Sequence, residues 1–158
     1  MARSFNRNQA LGTSFKLEIP GLDEYNYFVQ VAPLPGLSMG GVETPYRNNQ
    51  TNVPSNRVEY DPLNITFLVD EEHENHSQLR LWMHKYASGK EPILEVCKDI
   101  TLHILDSNKQ PRKSIVFYVA YPTLLTEIQL ESNTSDATSL VCNATFRYQY
   151  YDSKPTIR

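Results

Sequence analysis

The sequence predicts a mainly β fold: two packed antiparallel sheets, sandwich- or barrel-like, with one flanking α-helix at about residues 76–87. Three observations predict it. Apolar and polar residues alternate in run after run, the period of a half-buried strand. Only one stretch carries the i, i+3, i+4, i+7 spacing of a helix. The chain, at 158 residues, has the length of a single domain, enough to bury about 70% of its unfolded surface without staples.

Phe15, Leu17 and Ile19 alternate with Lys16 and Glu18, and the turn residues Pro20 and Gly21 lead to a run with Tyr25, Tyr27, Val29 and Val31, so this reads as a hairpin. Residues 32–38 are too proline-rich for a central strand, and a short strand at about 39–43 follows. Residues 44–56, TPYRNNQTNVPSN, have no periodicity and read as an unusually long loop. Strands resume at 57–60 and 64–70, with Leu63, Ile65, Phe67 and Val69 on one face.

The helix carries Leu79, Trp82, Met83 and Tyr86 as one buried stripe and ends at Gly89. Asp70, Glu71, Glu72 and Glu74 precede it, where carboxylates favour the positive end of the helix dipole. Strands at 99–106 and 113–121 flank the turn 107–111 and pair as a hairpin. The second is apolar on both faces, Ile115, Phe117, Val119 and Tyr121 against Val116, Tyr118 and Ala120, which implies cover on both sides. Residues 123–130 are strand or extended connection.

The last strand runs from 140 to 150, roughly 36 Å if fully extended. One face carries Leu140, Cys142, Ala144, Phe146, Tyr148 and Tyr150; the other carries Val141, Asn143, Thr145, Arg147 and Gln149. Residues 1–11 and 153–158 read as flexible arms on a single domain spanning 1–158.

Composition narrows the function. A net charge of -3 with scattered basic residues argues against binding nucleic acid through phosphates. The two cysteines, Cys97 and Cys142, sit in apolar-patterned segments and read as buried thiols rather than a disulfide framework. No charged start followed by an apolar run opens the chain and no stretch reaches membrane-spanning length, so a soluble, cytoplasmically made protein without membrane anchoring is expected. The Asn-x-Ser/Thr triplets follow from a composition rich in those residues.

No arrangement for catalysis stands out, and neither a metal nor a cofactor is expected. His73 and His76 lie among carboxylates, but three-residue spacing differs from the helical zinc pattern, and a solvated acidic helix start accounts for them. His84 and His103 stand alone and read as surface or interface residues. Nucleophile elbow, phosphate loop and dinucleotide fingerprint are all missing from the sequence. The ten tyrosines could form a stacking platform for sugars or bases; without accompanying basic clusters they read as core and subunit interface.

Taken in order, FKLEI, FVQVAPLPGL, GVETPYRN, YDPLNITFLVDEEHENHSQLRLWMHKYA, KDITLHILD, VFYVAYPTLLTEIQL and TSLVCNATFRYQYYD make the chain resemble the tail tube proteins of contractile-tailed bacteriophages. More remotely it resembles the hemolysin-coregulated tube protein of type VI secretion. The resemblance implies a virion structural subunit, made in the host cytoplasm, that self-assembles into stacked hexameric rings as a conduit for DNA during genome ejection. It implies the tail sheath, a baseplate tube initiator and a tail terminator as partners, with DNA passing through the lumen unbound. Residues 44–56 then look like the family's loop to the adjacent ring, with Tyr46, Arg47, Asn48, Asn49 and Asn52 as its contact residues. Asn143, Thr145, Arg147 and Gln149 become the candidate lumen face, with Arg147 fitting worst because a lumen should not attract phosphate.

Two other functions fit the same strands. One is a baseplate-proximal tube initiator; the other is a β-sandwich carbohydrate-binding module that uses the tyrosines. An enzyme built on His73 and His76 is the third and least supported.

Overall fold

The computed structural model describes residues 14–22, 28–46, 49–130 and 139–155. In chain order the elements are β1 (Phe15–Glu18), β2 (Val29–Val31), β3 (Leu37–Tyr46), β4 (Asn49–Tyr60), β5 (Leu63–Leu68), α1 (Glu74–Ser88), α2 (Ile93–Val96), β6 (Lys98–Leu105), β7 (Pro111–Leu125), β8 (Val141–Arg147) and β9 (Tyr150–Pro155). Seven strands form one sheet in the order β1-β6-β7-β8-β5-β2, with β9 also on β7, and β3 pairs β4 as a separate ribbon. The fold is thus mainly β, a nearly closed barrel-like sheet with a helix beside it and a second small sheet.

β7 holds the two halves of the large sheet together. Its first part, Lys113 to Tyr118, pairs with β9 on one side and β6 on the other; its last part, Tyr121 to Leu125, pairs with β8. Leu17, Ile100, Leu102, Ile115 and Phe117 from one half meet Leu63, Ile65, Phe67, Cys142, Ala144 and Phe146 from the other in a shared buried core. These are the inward positions that strand alternation selects. Each fully buried Leu, Ile or Phe side chain contributes about 1.5–3 kcal/mol.

Helix α1 closes the core. Leu79 and Trp82 are buried and Met83 and Tyr86 half-buried, as the apolar stripe requires. Trp82 packs on Phe146 at 5.8 Å between ring centroids, and Tyr86 stacks on Tyr121 at 4.9 Å. The helix starts where Asp70 accepts the backbone N–H groups of Glu74 and Asn75, at 3.1 and 3.0 Å, satisfying donors that a helix start leaves orphaned. Asn75, buried, donates to the carbonyl oxygen of Leu68 at 2.7 Å and so ties α1 to the end of β5. Gly89 ends the helix at φ 62, the left-handed conformation a glycine adopts without steric cost.

Several expectations are corrected. Among the described residues β1 and β2 do not pair with each other: β1 pairs β6 and β2 pairs β5, so the two strands lie in different half-sheets. Residues 44–46 and 49–56 belong to the paired ribbon β3-β4 rather than an irregular loop, since a backbone ladder needs no apolar alternation. Residues 153–155 continue β9 against β7, and so are not a loose arm; residues 1–11 and 156–158 lie outside the described residues, as do Tyr25 and Tyr27. A single helical turn, α2, follows α1 without a periodic signal in the sequence.

The long last strand is also divided. β8 and β9 keep one register against β7, Tyr121 opposite Arg147 and Tyr118 opposite Tyr150, but the chain bends at residues 148–149. After the bend Tyr151, not Tyr150, faces the core: Tyr151 lies 5.7 Å from Phe117, while Tyr150 is 46% exposed and stacks on Tyr118. β7 changes phase likewise. Ile115 and Phe117 are buried, then Ala120 and Pro122, so the strand that looked apolar on both faces has one inward face interrupted by a bulge.

Cys142 is buried, Cys97 half-buried, and both are free thiols; burial pushes both thiols up from their usual range.

Candidate assembly surfaces

The outward face of β5 and β8 is a ladder of neutral polar groups. Asn64 stands opposite Thr145 and Thr66 opposite Asn143. Thr145 Oγ1 donates to Asn64 Oδ1 at 2.8 Å, and Thr66 Oγ1 donates to Asn143 Oδ1 at 2.7 Å. Thr123 Oγ1 donates to the carbonyl oxygen of Thr145 at 3.1 Å, extending the network to β7. Each of these hydrogen bonds spans two strands, so the polar face is held in place. The structure places Asn143, Thr145 and Arg147 on this one face, and Arg147 is the charged member of the set. Gln149 sits apart in the bend, where its N–H donates to the Tyr118 carbonyl oxygen at 3.0 Å.

Ribbon β3-β4 forms the second surface. Among the described residues its strands ladder only with each other. Its base is anchored by an aromatic box: Tyr60 meets Tyr148 at 5.9 Å and Tyr151 at 5.6 Å, and Tyr148 meets Phe117 at 4.9 Å, all edge-on. The Tyr148 hydroxyl donates to the Asp61 carbonyl oxygen at 2.7 Å, and burial pushes that phenol up to about 12. Asp61 N–H donates to the Gly36 carbonyl oxygen, and a Cβ at Gly36 would lie 2.6 Å from Asp61 Oδ2, so a side chain there would require the Asp61 carboxylate to turn away.

Beyond the box the ribbon shows apolar groups to solvent. Met39 pairs with Val58, and both are exposed, as is Leu37 next along that face. Of the expected contact residues, Tyr46 stands opposite Asn49 and Asn52 opposite Glu43 in the ladder, while Arg47 and Asn48 fall outside the described residues. A two-stranded ribbon alone is marginally stable in water.

Strand margins form the third surface. Among the described residues β1, β2 and β9 each have one ladder partner, leaving one edge of backbone donors and acceptors open. On β1 and β6 the outward face is charged: Glu18 contacts Lys16 at 2.6 Å and His103 at 3.3 Å, and His103 Nδ1 lies 2.8 Å from Ser114 Oγ. His103, read as a surface or interface residue standing alone, thus links three strands. Sequence reasoning missed it because its partners come from strands 85 residues and 11 residues away along the chain. Lys16, then His103, holds the Glu18 carboxyl below its usual range.

His73 and His76 are taken into the helix start: His73 has φ 56, and the His76 backbone N–H donates to Asn75 Oδ1 at 2.7 Å. Tyr148 and Tyr151 point into the box and do not form an open stacking platform.

This fold recurs in contractile injection machines. A chain from the extended sheath–tube complex of an extracellular contractile injection system superposes with a TM-score of 0.67 at 16% identity, over 95% of this chain and 94% of that one. Hcp1 from Flavobacterium johnsoniae superposes with a TM-score of 0.51 at 15% identity, over 89% and 94%. The sequence model of the phage tail tube proteins matches residues 3–154, and the chain belongs to that family. A relative, the tail tube terminator protein of Enterobacteria phage T4, is 32% identical over 155 residues, 91% of this chain and 88% of the relative. The role of the protein is structural, in a tail.

Proposed function

We propose that the chain is a tail tube terminator: a non-enzymatic virion protein whose copies close into a ring, six on the family's pattern, seated on the last ring of the tube. The observation that carries this reading is the 32% identity to the T4 terminator along 91% of the chain. Open backbone edges on β1, β2 and β9 supply ring-closing contacts between copies. The ribbon β3-β4, with Leu37, Met39 and Val58 exposed, supplies the contact to the tube below. Asn143 and Thr145, with Asn64 and Thr66, line the lumen, where self-satisfied neutral groups give passing DNA little to bind, and Arg147 is the one charged member of that face.

The plain tube subunit is the second reading, favoured by the superposition on the sheath–tube complex. Electron microscopy of the purified protein at rising concentration separates the two. A terminator forms single rings that stop growing and that cap purified tubes; a tube subunit elongates into long tubes. A monomer that binds glycans and never forms rings would overturn both.

A further inference from the structure

Val119 is a β-branched residue at φ 54, inside the strand that joins the two half-sheets. A side chain with two branches at Cβ is crowded in the left-handed region, so the surroundings must hold it there. What holds it is visible. Lys98 pairs with Ala120 and Ile100 with Phe117, so Tyr118 and Val119 together stand opposite Asp99 as a bulge. The Asp99 carboxylate accepts the Val119 N–H at 3.0 Å, replacing the ladder bond that the bulge removes.

The other side of β7 breaks at the same level. Pairing with β9 ends at Tyr118 opposite Tyr150, pairing with β8 begins at Tyr121 opposite Arg147, and the bend at 148–149 lies between. Before this corner β7 belongs to the half-sheet with β1, β6 and β9; after it, to the half-sheet with β8, β5 and β2. Bulges bend strands and sharpen twist, and strands that switch sheets do so at such corners.

We propose that the Asp99–Val119 contact sets the angle between the two half-sheets and, through it, the number of copies that close a ring. The inference rests on the ring reading above. The open edges lie on both sides of the corner, β1 and β9 on one half-sheet and β2 on the other. A ring of head-to-tail contacts closes only if the rotation between a subunit's two contact patches divides a full turn. Asp99 and Val119 are therefore positioning residues for assembly, although neither need touch a neighbouring copy.

The full-length chain tests this in two ways. For strain, Val119→Gly is compared with Val119→Ala by urea unfolding. The glycine variant is expected to have the larger folding constant, by roughly two- to five-fold, because left-handed backbone favours glycine and extended backbone favours alanine. For geometry, native mass spectrometry compares Asp99→Ala with Asp99→Asn. Wild type and Asp99→Asn, which keeps an acceptor for the Val119 N–H, are expected to show one copy number, and Asp99→Ala a spread of copy numbers or open oligomers. Equal or greater stability of Val119→Ala, or one unchanged copy number in folded Asp99→Ala, overturns the proposal. A wild-type chain that forms no rings overturns the ring reading and the copy-number consequence with it, while the glycine–alanine order still decides whether the corner is strained.

Discussion

The indole N–H of Trp82 donates to the Val96 carbonyl oxygen at 2.8 Å in the buried space between α1 and α2. One side chain thereby fastens both helices to the sheet: its ring rests on Phe146, and Lys98 Nζ lies 4.9 Å from its centroid. The same Lys98 ammonium donates to the Pro20 carbonyl oxygen at 2.7 Å, which draws in the turn after β1.

Trp82→Phe keeps most of the apolar contact and removes the donor, so the Val96 carbonyl loses its indole partner. A loss of about 1–3 kcal/mol in unfolding free energy is expected. Trp82→Ala is expected to cost about 3–5 kcal/mol. Urea titration followed by circular dichroism measures both, and equal stability of wild type and Trp82→Phe would show that the hydrogen bond contributes nothing.

Asp70 caps α1 through two backbone N–H groups. Replacing it with alanine is expected to cost about 0.5–2 kcal/mol, with asparagine recovering only part of the loss, because Asp70 accepts through both carboxylate oxygens and the single amide oxygen of asparagine can accept one of the two N–H groups. Thermal unfolding of the three proteins checks the order. If asparagine behaves like alanine, the cap is not the cause.

Tyr148 gives a pH prediction. Its phenol titrates at about 12, above the ordinary value, because burial penalises the phenolate. A neutral group with a raised folded pKa contributes stability that is fully present below about pH 10, the unfolded value, and is lost as pH rises from there through the folded value. Ultraviolet titration should show one tyrosine ionising late, together with loosening of the ribbon base. Tyr148→Phe should remove that late step and cost about 1 kcal/mol for the lost bond to Asp61. A late step that survives in Tyr148→Phe belongs to another residue.

Met39 separates folding from assembly. It is 62% exposed on the ribbon, so Met39→Asp is expected to shift unfolding free energy by no more than about 0.5 kcal/mol. If the ribbon face docks on the tube, the same variant stops capping tubes in electron microscopy. Normal capping by a folded Met39→Asp protein would remove this face from the docking surface.

Much of the architecture was legible in residue order. Leu63, Ile65 and Phe67 alternate, and all three are buried; Leu79 and Trp82 recur at helical spacing, and both face the core. The outward set Asn143, Thr145 and Arg147 was readable for the same reason. Where the backbone leaves regular geometry, the reading failed. The bulge at Val119 and the bend at 148–149 each reset the phase, so Ala120 and Tyr151 turn inward although simple alternation placed neither there. The base of the ribbon, at 39–43 and 57–60, was expected as strand, but its outer part was missed because residues 44–56 carry no apolar period, and a ladder of backbone hydrogen bonds leaves no mark on side-chain order.

The sequence by itself determined most of the side chains that go inside, the one long helix and the family, because burial and local periodicity are written into neighbouring residues wherever the backbone stays regular. Only the tertiary structure decided that β1 joins β6 while β2 joins β5, that Asp99 reaches across to Val119, and that His103 finds Glu18 and Ser114. Backbone donors and acceptors are nearly the same on every strand, so the choice of partner is made by the packing of the whole core and by the corners that bring distant segments side by side.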